Sequence, residues 1–132
     1  GQSPLKMKDY GCTTTCISMA SDWFKYFRNP GWMAQNLSYT KEGLILWNSI
    51  SKQKELNFKF DWRYYGCLPK VIDSALKDPK QVCLLEIRKC HWVLALKKKF
   101  LSNNYIAADP WTGGKKEYSP SMITGCAVLE IK

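Results

Sequence analysis

The chain predicts an α+β fold, with helices first and an antiparallel sheet afterwards, on three observations. Apolar residues recur at helical spacing between positions 17 and 27, the second half holds a succession of short apolar strand-like runs, and those runs are separated by "RKC", "KFLSNN" and "WTGGKKEYSPSMIT". At 132 residues the chain is the size of one domain with a single core. It contains no internal repeat, low-complexity tract or linker that would divide it.

The first helix is expected from about Thr14 to Arg28, because Ile17, Ala20, Phe24 and Phe27 follow one another at spacings of 3, 4 and 3. Thr13 or Thr14 supplies its N-cap oxygen. A second helix is expected in "NPGWMAQNL", with Pro30 near its start and Trp32, Met33 and Leu37 on one side. "EGLILWNSISKQ" reads as a third helix opened after Gly43, and both should pack over the first. "LNFKFDW" alternates apolar and polar as a strand does, and "CLPKVIDSALKD" is a short helix with Pro69 in its first turn. Four strands follow: "QVCLLEI", "HWVLALKK", "NNYIAADP" and "GCAVLEIK".

Composition narrows the function. No segment approaches the roughly 20 consecutive apolar residues of a membrane-spanning helix. The formal charge of +9 favours encounter with polyanions, nucleic acid or acidic polymer. Its densest groups, Lys97 to Lys99 and the pair Lys115 and Lys116, accompany no glycine-rich phosphate loop, so they read as a solvated strand end and loop. Trp62, Tyr64 and Tyr65 serve equally as core or as a stacking platform, which leaves a nucleic-acid-binding reading on charge alone.

Six cysteines, at 12, 16, 67, 83, 90 and 126, are an even number, but Cys83 and Cys126 lie in apolar strand runs where a free thiol behaves as a small hydrophobe. With one histidine and no pair of CxxC elements, a structural zinc site is not expected.

The reactive candidates come from element ends. Cys12 follows Gly11 at the expected start of the first helix, where partial positive charge favours a thiolate and the Cys12 amide can donate to an oxyanion. Cys16, one turn further in, has less of this field. His91 is the sole candidate base, and it opens a strand. Asp109 ends the next strand, before Pro110. Adjacent antiparallel strands place the start of one beside the end of the other, so His91 and Asp109 should meet, with the carboxylate orienting the imidazole. Asp9, Asp22 and Asp61 are competing carboxylates that end no such strand. Cys90 should point to the opposite face from His91.

These segments carry a family resemblance. "YGCTTTCISMA" resembles the nucleophile segment of the double-glycine leader (bacteriocin-processing) peptidases, family thirty-nine of the cysteine class, and their papain-like relatives in bacteriophages and bacteria. "CHWVLALKKKFLSNNYIAADPWTGG" is similar to that family's His strand, Asp-Pro strand and glycine turn, and "ITGCAVLEI" and "NPGWMAQNLSYTKEGLILWNSI" extend the likeness over most of the chain. The resemblance implies a papain-like cysteine peptidase fold in which residues 1–132 form a single domain of a longer protein. It implies Cys12 as nucleophile, His91 as base and Asp109 as orienter, with neither metal nor cofactor. A peptide or protein is the implied partner, with a cell-wall peptide as one version.

Two positions depart from the family pattern. Thr13 stands where glycine is usual, and residues 5 to 8 (Leu, Lys, Met, Lys) lack the glutamine whose side chain completes the oxyanion hole. Gln2 is the one candidate replacement within the chain; in the phage-type relatives the glutamine lies further upstream. Loss of one oxyanion donor costs about 10²-fold or more in rate. A catalytically degenerate domain that binds a peptide or protein in the same cleft is therefore the alternative to a peptidase.

Overall fold

The computed structural model describes residues 4–41 and 44–132, the first eight of these along the backbone. The elements in order are α1 (Pro4–Trp23), α2 (Pro30–Asn36), α3 (Asn48–Ser51), β1 (Phe58–Tyr65), α4 (Pro69–Lys77), β2 (Gln81–Ile87), β3 (His91–Lys98), β4 (Tyr105–Ala108), β5 (Lys115–Tyr118) and β6 (Ile123–Ile131). Three helices precede an antiparallel sheet of strand order β1-β6-β2-β3-β4-β5. The α+β expectation holds.

The sheet is covered on both faces, which explains why its central strands read as continuous apolar runs. On β2, Val82 and Leu84 face α1, while Cys83, Leu85 and Ile87 face α4. Cys16, Ile17, Ala20 and Phe24 of α1 pack with Phe58, Leu84, Leu94 and Leu129; Ile72 and Ala75 of α4 pack with Leu85, Val93, Tyr105 and Val128. Fully burying each of these larger side chains is worth about 1.5–3 kcal/mol, and it is this two-sided burial that fixes β3 and β4 relative to α1.

Five details differ from the sequence reading. The first helix begins at Pro4, not near Thr14, so it runs through Cys12 rather than starting there. Proline in a first turn is compatible with helix, and Gly11 in the interior costs only about 1 kcal/mol, too little to break it. The helix also stops at Trp23, short of Arg28. Lys25 takes a left-handed backbone with φ 62°, its amide donates to Asp22 O, and the Tyr26 amide donates to Ser21 O, closing the helix without a glycine.

The third helix is a single turn, α3. Ile45 upstream of it bridges Tyr39 in extended form, because Leu44 and Leu46 exchange backbone hydrogen bonds with Thr40 and Ser38. α2 packs on α1 as expected, but α3 packs on β1. Finally, "KKEY" is a strand, β5, where a loop was expected; it pairs with β4 at the sheet edge. The lysine groups are partly neutralised there: Lys98 pairs with Asp73 at 3.4 Å, Lys99 with Glu117 at 2.8 Å and Lys116 with Asp109 at 3.2 Å.

Gly125 of β6 has a steric role. The Arg63 guanidinium lies across it to reach Glu86, and an added Cβ would meet Arg63 Nη1 and stand 2.8 Å from Tyr64 O. Gly125→Val is expected to lower stability by about 1–3 kcal/mol, the usual cost of overpacking, and to displace Arg63. Urea unfolding checks it; an unchanged midpoint would contradict the close approach.

Candidate active site

Antiparallel pairing of β3 with β4 begins at Leu94 opposite Ala108, so the start of β3 and the residue after β4 lie at the same end of the sheet. His91 and Asp109 meet there, Nε2 to Oδ1 at 3.0 Å, with exposures of 7% and 1%. The expected pair is present.

Asp109 is held by several donors. Oδ1 also accepts from the Trp111 amide at 2.9 Å, and Oδ2 receives Lys116 Nζ at 3.2 Å. The loop that presents it is tight: the Gly113 amide donates to Asp109 O at 2.7 Å, and the Asp109 amide donates to Gly114 O at 2.9 Å. Gly113 takes φ 71°, which any side chain would resist. Burial alone pushes the carboxyl up, but the Trp111 amide, Lys116 and His91 together outweigh it and hold Asp109 below the usual carboxylate range. The neighbouring Tyr118 phenol is pushed up to about 12 by its burial and then by the charge of Asp109, so it stays protonated.

An ionised carboxylate only accepts, so the proton between the two residues sits on His91 Nε2. That leaves Nδ1 of a neutral imidazole with its lone pair. Nδ1 is buried and has no hydrogen-bond partner among the described residues. Buried ring nitrogens are normally paired, and an unpaired one is a feature that function can explain. Trp111 stacks on the imidazole at 3.8 Å between ring centroids, fixing its plane.

The thiols come from the other side. Because β4 ends its pairing at Leu94, the backbone of Trp92, the residue after His91, has no partner strand on that edge. α1 supplies one: Cys16 Sγ donates to Trp92 O at 3.2 Å, and the Trp92 amide is directed at the Cys12 sulfur. The four-residue spacing of the two cysteines thus matches the donor and acceptor of one strand residue. Cys12 is 1% exposed. Burial pushes its thiol up, opposed by the amide of Trp92, by the Thr13 side chain, and by the amides of Thr13 and Cys12. Cys16 is raised further by complete burial.

Cys12 does not stand at a helix start, as its position after Gly11 had suggested, because α1 begins at Pro4. Inside α1 its amide belongs to the helical ladder, where each N–H points to the carbonyl four residues back, and is not a free donor at a helix tip. Gln2, the other oxyanion candidate, lies outside the described residues, as does the third-helix opening at Glu42 and Gly43. Trp111, Lys116 and Tyr118 escaped the sequence reading; the signal for the last two was a Gly-Gly turn after Asp-Pro followed by a short stretch able to return along β4.

Thr13, the residue after Cys12, borders a cleft of about 320 Å³ together with Arg63, Glu86, Lys89, Cys90 and Trp92 among others. Cys90 is exposed in the turn before His91 and faces this cleft rather than the imidazole. Trp62 and Tyr65 are exposed, whereas Tyr64 packs against the core under α4.

No protein-family model and no curated protein matches the sequence. In fold the chain is similar to a double glycine motif protease from an AMS/PCAT transporter, solved in complex with its leader peptide. The TM-score is 0.65 at 14% identity, over 92% of this chain and 84% of that one. The likeness shows that this chain shares the fold of that protease.

Proposed function

We propose that this domain is a cysteine peptidase in which Cys12 is the nucleophile, His91 the general base and Asp109 its orienter. The observation that carries the reading is His91 Nδ1, buried and unpartnered among the described residues while Nε2 is held by Asp109. Such a nitrogen is set to take a proton.

Cys12 Sγ attacks the carbonyl carbon of a peptide bond as its proton passes to His91 Nδ1. The resulting imidazolium, stabilised by Asp109, returns that proton to the leaving amine as the C–N bond breaks. Water then attacks the thioester, with His91 taking and returning the proton, and the carboxylate product leaves with the thiol restored. Because burial raises the Cys12 thiol, the thiolate forms by transfer to His91 and not by free ionisation. Peptide as the ligand class is supported by the similar protein having been solved with a leader peptide bound.

A specific observation favours a second reading. Cys12 is buried within a helix, and its thiol is raised, as in a domain that binds peptide without cutting it. Incubation with a mixture of unstructured peptides and mass analysis of the products separates the two. Cleavage lost in Cys12→Ala supports the peptidase; peptide retention without cleavage by the intact thiol supports the binder.

A further inference from the structure

The turn between β3 and β4 carries charge and apolar surface that neither the core nor the candidate active site uses. Lys97, Lys98 and Lys99 run directly into Phe100 and Leu101, which are 85% and 89% exposed, more than any other large apolar side chain among the described residues. The turn itself is well held. The Lys99 amide donates to Asn104 O at 2.9 Å, the Ser102 amide to Lys99 O at 3.2 Å, and the Asn104 amide to Ser102 Oγ at 3.0 Å. Leu101 takes a left-handed backbone with φ 57°, a conformation that suits glycine or asparagine and disfavours leucine. At so exposed a site it gains no packing to offset that strain.

The basic side of the turn is only partly neutralised. Beside it, between α4 and β3, lies a pocket of about 310 Å³ bordered by Asp73, Leu76, Lys77, Leu96, Lys97 and Lys98. Asp73 already accepts from the Tyr105 hydroxyl at 2.7 Å and from Lys98 Nζ at 3.4 Å, and Glu117 accepts from Lys99 Nζ at 2.8 Å and from Asn104 Nδ2 at 2.6 Å. Lys77 and Lys97 make no ion pair among the described residues. Four lysines thus meet two carboxylates, and exposed pairs of this kind are weak enough to leave the lysines open to a competing anion.

This combination selects among partners. A protein interface is depleted in lysine and needs an apolar area wider than two side chains. Single-stranded nucleic acid stacks on aromatic rings, and Leu101 offers none. A bilayer surface uses both features together: apolar side chains enter the boundary between headgroups and acyl chains while neighbouring lysines meet anionic headgroups.

We propose that the β3–β4 turn is a membrane-docking element, in which Phe100 and Leu101 enter the surface of a bilayer containing anionic phospholipid and Lys77, Lys97 and Lys98 hold the headgroups. It stands independently of the chemistry at Cys12.

Co-flotation of the protein with vesicles of phosphatidylcholine and phosphatidylserine tests it. Binding is expected there, and at least about 10-fold weaker binding on phosphatidylcholine alone, since each lysine near an anionic surface is worth about 5-fold in affinity. Phe100→Ser combined with Leu101→Ser should weaken binding at least about 10-fold, the effect of losing two apolar groups from the boundary, and Lys97→Ala about 5-fold. Trp62→Ala removes an exposed aromatic from β1, three strands away from β3, and should change nothing. Leu101→Asn separates docking from folding: it should weaken vesicle binding while the urea midpoint stays or rises, and a lowered midpoint would make the leucine a structural residue and overturn its role here. No binding to the mixed vesicles, equal binding to both vesicle types, or full binding by the Phe100 and Leu101 double variant would overturn the proposal. So would retention on single-stranded DNA, lost in that double variant, by a protein that leaves the vesicles unbound; nucleic acid would then be the partner of the turn.

Discussion

His91→Ala is expected to slow alkylation of Cys12 by a peptidyl chloromethyl ketone about 10²–10⁴-fold, the range a positioned general base contributes. Few other routes to the thiolate exist. The Cys12 thiol is raised by burial, and the groups that oppose this, the Trp92 amide first and then the Thr13 hydroxyl and nearby amides, are neutral dipoles with no capacity to accept its proton. Removing the imidazole leaves Asp109 with the Trp111 amide and Lys116, so the loop after β4 keeps its anchor and the fold should survive. Far-ultraviolet circular dichroism should be unchanged. Alkylation at the wild-type rate in a folded His91→Ala protein would mean that the imidazole takes no part.

Asp109→Ala should have the largest effect on stability, about 2–3 kcal/mol at neutral pH, the cost of leaving the partners of a buried charged acceptor unpaired. Its carboxylate receives His91 Nε2, the Trp111 amide and Lys116, and the first of these bonds is buried. The pH dependence follows from the direction of its shift. A carboxyl held below its ordinary value stabilises the folded chain fully above the unfolded value near 4, and that stabilisation is lost as pH falls through the lowered folded value. The gap between wild type and Asp109→Ala should therefore be full from neutral pH down to about 5 and close progressively below about 4. Urea unfolding of both proteins at several acid pH values checks this, and a gap that widens on acidification would contradict it.

The parts of the fold legible in the sequence were those whose pattern and burial agree. Pro69 in a first turn, with Ile72 and Ala75 one turn apart, marks α4. The apolar runs of β2 and β3 across "RKC" mark a hairpin, and the opposed ends of β3 and β4 bring His91 to Asp109. The illegible parts lacked such a pattern. Residues 5 to 11 mix Leu5, Met7 and Tyr10 with lysine, aspartate and glycine, too few apolar residues at helical spacing to signal a start of α1 at Pro4. Its end is set by Lys25 in a conformation usually signalled by glycine. Leu44 and Leu46, apolar enough for a helix, make backbone hydrogen bonds back to Ser38 and Thr40 instead. β5 buries one side chain, Tyr118, and its remaining three residues are charged and exposed, as suits an edge strand. The pairing of both α1 thiols with the Trp92 backbone depends on where β4 stops, which is a property of the assembled sheet.

The central claim is that His91 activates Cys12, and competition among the six thiols tests it most directly. Iodoacetamide in limiting amount at about pH 7, followed by mass mapping, ranks them by thiolate reactivity. Cys90 is exposed and Cys67 half-buried, whereas Cys12 is buried with a raised thiol, so without help Cys12 should rank with Cys16 and Cys83. Cys12 should be modified ahead of Cys90 in the wild-type protein and fall behind it in His91→Ala. Modification of Cys90 and Cys67 first in both proteins, with Cys12 as slow as Cys16, would contradict it.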